Sequence, residues 1–298
     1  MSCTIFENGF RIFFWLAFLF VACFMGGWLL CYPGLVTVHP LFENLFLWHG
    51  HEMVYGFLLA VISGFVLTAV AVWTSTPSIQ GRSLMLLSGL WLLGRLGMTF
   101  PMSHPIIASV IDLSYLPCLI GLFAIPLFAA KNRRNYMMLG FLGVLFGCNL
   151  VMHLAAHHQV SLEAANRALY ASIGIILLFV ALIGGRIIPL FTANALNRQG
   201  MNLKNTPQPR LDHWALFTLA IFIGSLIFTG NLSIYTGYAA IAVALVHGAR
   251  MRLWHTRYCF TDPLLWILHV SYGWLIAGLL LWGYVALTAS LIPFSIVL

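Results

Sequence analysis

Charge is what this chain has least of. Charged residues make up 7% of its 298 positions, against roughly a quarter in soluble domains, so a soluble globular domain is excluded. Regular alternation of polar and apolar residues is missing too, which argues against barrel strands. Paired cysteines are absent: Cys3, Cys23, Cys31, Cys118, Cys148 and Cys259 are scattered, with no Cys-x-x-Cys and no Cys-x-x-Cys-His. A zinc ribbon and covalent c-type haem attachment are therefore excluded, and buried structural thiols are the plain reading. No soluble insertion, low-complexity tract or nucleotide-binding loop interrupts the chain.

What fills the sequence is apolar: 61% of residues. A membrane helix needs roughly 20 such residues, and on that ruler about nine runs appear. They are Phe13 to Tyr32, Leu47 to Trp73, Leu84 to Phe100, Ser109 to Ala129, Tyr136 to His157, Ala168 to Ala193, His213 to Thr229, Ile234 to Met251 and Leu264 to Leu287. Helices satisfy their own backbone in lipid, so the expected fold is an all-α polytopic transmembrane bundle. Residues 1–298 read as one integral membrane domain. Its longest polar link, with Lys204, Pro207 and Pro209, suggests halves 1–196 and 210–298 joined by loop 197–209. The first run is too long for a signal peptide, and no small-residue cleavage site follows it.

Basic loops stay on the cytoplasmic side. Arg11, Arg82, the Lys131/Arg133/Arg134 group, the Arg198/Lys204/Arg210 group and the Arg250/Arg252/Arg257 group all fall at alternate span ends. Only Arg167 lies in an opposite loop, and Arg95 and Arg186 lie inside spans. The amino terminus is expected inside and the carboxyl terminus outside, in an inner membrane. The net charge of +7 is on this account a topology signal, not a nucleic-acid surface.

Ionisable groups inside spans are costly and point to function. In this topology His49, His51, Glu52, Arg95, Asp112, His153 and His157 share one outer layer. Arg186, His247 and His269 form a smaller inner group. His49 and His51 are two apart, about 200° around a helix, so they serve different partners unless Gly50 unwinds. His153 and His157 are four apart and share a face, which suits one metal, or one ligand and its supporting partner. The bland alternative for each is a hydrogen-bonded interfacial histidine. Asp112 is expected to form a structural ion pair with Arg95. Arg186 follows Gly184-Gly185, where a neighbouring helix or a flat cofactor can approach; it can hold a carboxylate such as a haem propionate, or extend to the cytoplasmic interface.

Leu47-Trp48-His49-Gly50-His51-Glu52-Met53, Gly64-Phe65-Val66-Leu67-Thr68-Ala69, Asn149-Leu150 with His153, and Gly184-Gly185-Arg186-Ile187-Ile188-Pro189-Leu190-Phe191-Thr192 resemble the NnrS family. So does Pro263-Leu264-Leu265-Trp266 with His269, and the likeness runs across nearly the whole chain. The resemblance implies an inner-membrane protein holding b-type haem and copper, tied to nitric oxide metabolism, denitrification and nitrosative stress. It implies His49, His51, His153 and His269 as metal ligands and Arg186 as a cofactor contact, beside Arg95. Glu52, His157 and His247 are read as supporting groups or additional ligands. Family members are expected to continue past the span with His269, so the chain, ending in apolar Leu291 to Leu298, reads as shortened. Partners expected are the bilayer and a respiratory or nitric-oxide-handling membrane protein. Two other classes stay open: a cofactor-free transporter, with which Pro117, Pro126 and Pro189 inside spans are compatible, and a non-catalytic scaffold or assembly factor.

Overall fold

The computed structural model describes residues 4–100, 102–201, 208–260 and 262–288. Among these there are helices and no strand: α1 (Gly9–Cys31), α2 (Leu45–His51), a π-helical segment (Glu52–Leu58), α3 (Leu59–Thr74), α4 (Arg82–Thr99), α5 (Pro105–Ala129), α6 (Tyr136–Ala156), α7 (Leu162–Arg198), α8 (Pro209–Thr229), α9 (Ile234–Met251) and α10 (Pro263–Thr288). α2, the π segment and α3 are one continuous rod, Leu45–Thr74. Each apolar run read from the sequence lies on one such rod.

Seven of the rods are long and apolar enough to cross a membrane; α4 and α9 are the two that are not. Both carry charge within the helix: Arg95 in α4, and Arg250 one turn from His247 in α9. The chain is an all-α, multi-pass membrane protein. Large apolar side chains such as Trp15, Phe18, Leu29, Val72, Phe228 and Trp274 stand exposed, a surface suited to lipid and unsuited to water.

The chain folds as two compact units, Met1–Ser172 and Ile173–Leu298, with the boundary inside α7. In the first, α1 packs on α3, α4 on α5, and α5 on α3 and α6. In the second, α9 packs on α8 and α10. Residues 202–207 of the polar link expected over 197–209, with Lys204 and Pro207, lie outside the described residues, as do Cys3 and Leu291 to Leu298.

Local chemistry places the rods. Asn44 caps α2, its side chain accepting from Leu47 N at 3.0 Å, which satisfies one of the orphan amides at the helix start. Gly94 and Gly97 let α5 come close to α4: a Cβ at Gly94 would lie 3.2 Å from Asp112 Oδ1, and one at Gly97 3.2 Å from the Ala108 Cβ. That approach puts Arg95 within reach of Asp112. The wider turn of the π segment leaves Glu52, Val54, Tyr55 and Gly56 all buried. Trp91 Nε1 donates to the Gly56 carbonyl at 3.2 Å. π segments of this kind are common at functional sites.

Candidate functional site

The first unit holds a buried polar network built by the start of the Leu45–Thr74 rod, α4, α5 and α6. Arg95 sits at one end, where Nη1 donates to Glu52 Oε1 at 2.6 Å and Nη2 donates to Asp112 Oδ1. Asp112 Oδ2 accepts from Asn149 Nδ2 and contacts His153 Nε2, both at 2.9 Å. Asn149 Oδ1 then faces His51 Nε2 at 2.9 Å, and His51 Nδ1 meets Glu52 Oε1 at 3.0 Å. From His153 Nδ1 the chain continues to Ser109 Oγ at 3.0 Å and on to His157 Nε2 at 2.8 Å.

The hydrogens can be placed by consistency. Asn149 donates to a carboxylate, so its oxygen is the atom facing His51, and His51 Nε2 carries a hydrogen. Its Nδ1 faces a carboxylate oxygen as well. One further proton therefore sits on the His51–Glu52 contact. With Arg95 against Glu52 and Asp112 the fixed charges sum to minus one, and that proton brings the cluster to zero, as a buried group in lipid requires. On the other branch, His157 Nε2–H donates to Ser109, the Ser109 hydroxyl donates to His153 Nδ1, and His153 Nε2–H donates to Asp112.

Six of the seven residues expected in the outer layer thus meet in one network: His51, Glu52, Arg95, Asp112, His153 and His157. His49 stands apart from it. Its ring stacks on Trp28 at 4.2 Å and on Phe24 at 5.8 Å. Its Nδ1 is buried with no hydrogen-bond partner among the described residues, and Trp48 Nε1 beside it is likewise unpartnered. Gly50 between the two histidines stays helical and faces Leu169.

Donor atoms of His51, Asp112 and His153 lie within 4.8 Å of one another, all buried. Two imidazoles and a carboxylate make a ligand set for one small divalent ion, which would take the place of the Nε2 hydrogens that His51 and His153 direct at Asn149 and Asp112. Haem does not fit between these rings. Their centroids are 5.5 Å apart and edge-on, and all four ring nitrogens are already engaged.

The second unit holds the inner group. His247 Nδ1 meets the Tyr272 hydroxyl at 2.7 Å and its Nε2 lies 3.4 Å from the Ala215 carbonyl. Arg250, counted among loop charges on sequence, is buried in α9. It donates from Nε to Asp212 Oδ1 at 2.7 Å and from Nη1 to the Ala181 carbonyl at 2.7 Å and to Tyr272 at 3.2 Å. Gly185 gives this guanidinium its room, since a Cβ there would overlap it, and Gly184 faces the Tyr272 ring at 3.3 Å. An arginine from α9 and a ring from α10 thus occupy the approach that the glycine pair opens. Arg186 is half-buried on α7.

His269 lies in α10, 2% exposed. Its Nε2 is 2.9 Å from Thr192 Oγ1 and 3.4 Å from Cys259 Sγ, and its Nδ1 is 3.0 Å from Thr256 Oγ1. Burial raises the Cys259 thiol above its usual pKa, with Asp262 adding to this and the Thr192 hydroxyl opposing it. The thiol is thus protonated at neutral pH and a poor nucleophile. A cavity of about 390 Å³, lined almost wholly by apolar groups, opens beside the pair.

The profile of the NnrS protein family matches residues 4–298. The chain belongs to the NnrS family. No curated protein and no solved structure matches it. In this NnrS protein, sequence reasoning missed Ser109, Arg250, Asp212, Tyr272 and Cys259 as site residues, and used Asn149 only as part of a motif. Helical spacing carried a signal for some of them. Asn149 is one turn from His153, Ser109 one turn from Asp112, and Arg250 one turn from His247. Nothing in the sequence pointed to Asp212 or to the pairing of Cys259 with His269.

Proposed function

We propose that this NnrS protein is a haem-binding inner-membrane protein of the bacterial response to nitric oxide. The observation that supports it is His49. An imidazole set between Trp28 and Phe24, with a buried ring nitrogen lacking a partner, is a donor waiting for a ligand, because an unmatched polar atom in an apolar setting is costly. Haem iron accepts imidazole, and an imidazole-held iron binds nitric oxide or passes one electron according to whether a coordination position stays open. The flanking aromatic rings orient the imidazole and keep water from it. The Glu52–Arg95–Asp112 network supplies a fixed, neutral support beginning three residues further along the same rod.

The test is optical. Detergent-purified protein from haem-sufficient cells is expected to show a Soret band that shifts when nitric oxide is added to the reduced form. His49→Ala is expected to abolish the band while leaving the protein monodisperse, since His49 has no hydrogen bond to lose. A band that persists unchanged when His49, His51, His153 and His269 are all alanine removes the haem assignment. Restored growth under nitric oxide by the wild-type gene, and not by His49→Ala, is the expected cellular counterpart.

A further inference from the structure

We propose that the Trp48 indole is a positioning residue, donating its N–H to a propionate carboxylate of the haem that His49 holds. This rests on the haem reading above and adds the contact that fixes the edge of the group. Trp48 is 3% exposed, and its Nε1 is buried with no hydrogen-bond partner among the described residues. It shares one four-ring cluster with His49. The Trp48 ring lies 5.0 Å from Phe24 and 6.5 Å from Trp28, the two α1 rings against which His49 stacks. Two orphaned nitrogens therefore stand in one seam, between α1 and the start of the Leu45–Thr74 rod.

The two nitrogens ask for different atoms. An indole has one N–H and no acceptor, so only an acceptor on the ligand can satisfy Trp48. An imidazole can ligate iron. Trp91 shows how this fold otherwise settles a buried indole: its Nε1 donates to the Gly56 carbonyl at 3.2 Å. Trp48 has no such carbonyl, and an unmatched buried donor is costly. Haem brings an iron for His49 and carboxylate oxygens for Trp48 in one molecule.

Position selects the propionate as the acceptor. Trp48 is the residue next to His49, so it stands on the imidazole's side of a ring whose iron His49 holds. A propionate hangs from the ring edge and can turn to that side, whereas a molecule on the far face of the iron lies beyond the macrocycle. Trp48 is also in the first turn of its rod, close in sequence to exposed Glu43 and Asn44. A carboxylate there meets the polar end of the rod, where a charge costs less than at its apolar middle.

The experiment uses the full chain in detergent, prepared without haem and reconstituted with two haems. One is haem b, and the other carries ethyl groups in place of the propionates. Retention of each is timed by transfer to a haem-accepting apoprotein. Trp48→Phe keeps an aromatic ring and removes the N–H. It is expected to weaken retention of haem b ~10–100-fold, the range for one hydrogen bond to a charged group, and to leave retention of the ethyl haem unchanged. Thermal unfolding of the haem-free proteins gives a second reading. Trp48→Phe should match the wild type there, because no bond is lost, while Trp91→Phe, which loses its bond to Gly56, should unfold lower. Equal retention of haem b by the wild type and monodisperse Trp48→Phe overturns the contact, as does an equal loss for both haems. Haem-free Trp48→Phe as destabilised as Trp91→Phe overturns it too, since the N–H would then have a partner inside the protein. A wild type that takes up neither haem fails the haem reading and this contact with it; uptake of haem b that Trp48→Phe leaves unaltered fails the contact alone.

Discussion

Arg95 donates to two carboxylates at once and is only 5% exposed. Removing it leaves Glu52 and Asp112 facing each other across a dry site. Breaking a buried pair from one side costs about 3–5 kcal/mol, whereas removing the charges together costs much less. Arg95→Met is therefore expected to lower the thermal midpoint in detergent sharply, and Arg95→Met with Glu52→Gln to recover a large part of the loss. A double variant no more stable than the single one would show that charge balance is not what holds the cluster. Asn149→Leu makes a sharper probe of the same network, since Asn149 bridges His51 and Asp112. It removes a donor and an acceptor together and leaves two charged groups short of a partner, so a loss of roughly 1–3 kcal/mol is expected; a change within about 0.5 kcal/mol, the range of a neutral surface substitution, would deny it that bridging role. The participants in this cluster were legible from sequence because intramembrane charge is rare and loop charges fix each span's direction. Their pairings were not. Whether His51 or His49 turns inward depends on the rotation of α2, and the sequence carries no mark of that beyond their separation of about 200°.

Helix packing obeys a different limit, set by where a side chain can be accommodated. Gly185 faces an arginine head that is pinned by Asp212, Ala181 and Tyr272, so it cannot swing aside freely. Gly185→Ala is expected to cost about 1–3 kcal/mol from overpacking alone, and more if Arg250 loses its partners. Gly184→Ala meets Tyr272 at a distance that a small shift of the ring relieves and should cost less, while Gly27→Ala meets nothing within 4 Å and should be neutral or slightly stabilising. Thermal unfolding of the three variants in detergent checks the order. Equal loss at Gly185 and Gly27 would mean that Arg250 does not occupy the position assigned to it. The rods themselves were readable, because a continuous apolar run of spanning length admits one structure in lipid. The π segment over Glu52–Leu58 was not. Its extra backbone turn answers to Trp91 and to the burial of Glu52 and Tyr55, which are tertiary facts. The glycine pair before Arg186 was noticed for closeness, yet what approaches it comes from α9 and α10, far away in sequence.

For the molecule as a whole, the placement of α4 and α9 decides the path through the membrane. By length and mean hydropathy they fall short of the other rods, yet Arg95 and Arg250 are buried and matched inside the protein, so their charge does not face lipid, and Arg82 stands exposed at the first position of α4. A helix whose ionised group is paired within the bundle avoids most of the cost that a lipid-facing charge meets. Both helices are therefore expected to cross, which places the two ends of each on opposite faces. Single cysteines introduced at exposed Gln80 and Ser103 flank α4, and at Leu232 and Leu253 flank α9. In a background lacking the native cysteines, an impermeant maleimide applied to intact spheroplasts should reach positions 103 and 232. Positions 80 and 253 should react only after permeabilisation. The sides follow from the basic loops around Arg82 and Arg252, which the positive-inside rule holds in the cytoplasm. Labelling of positions 80 and 103 from the same face would make α4 a re-entrant or surface element. It would also move Arg95 and its carboxylates out of the membrane, and with them the physical reason for reading that network as a site.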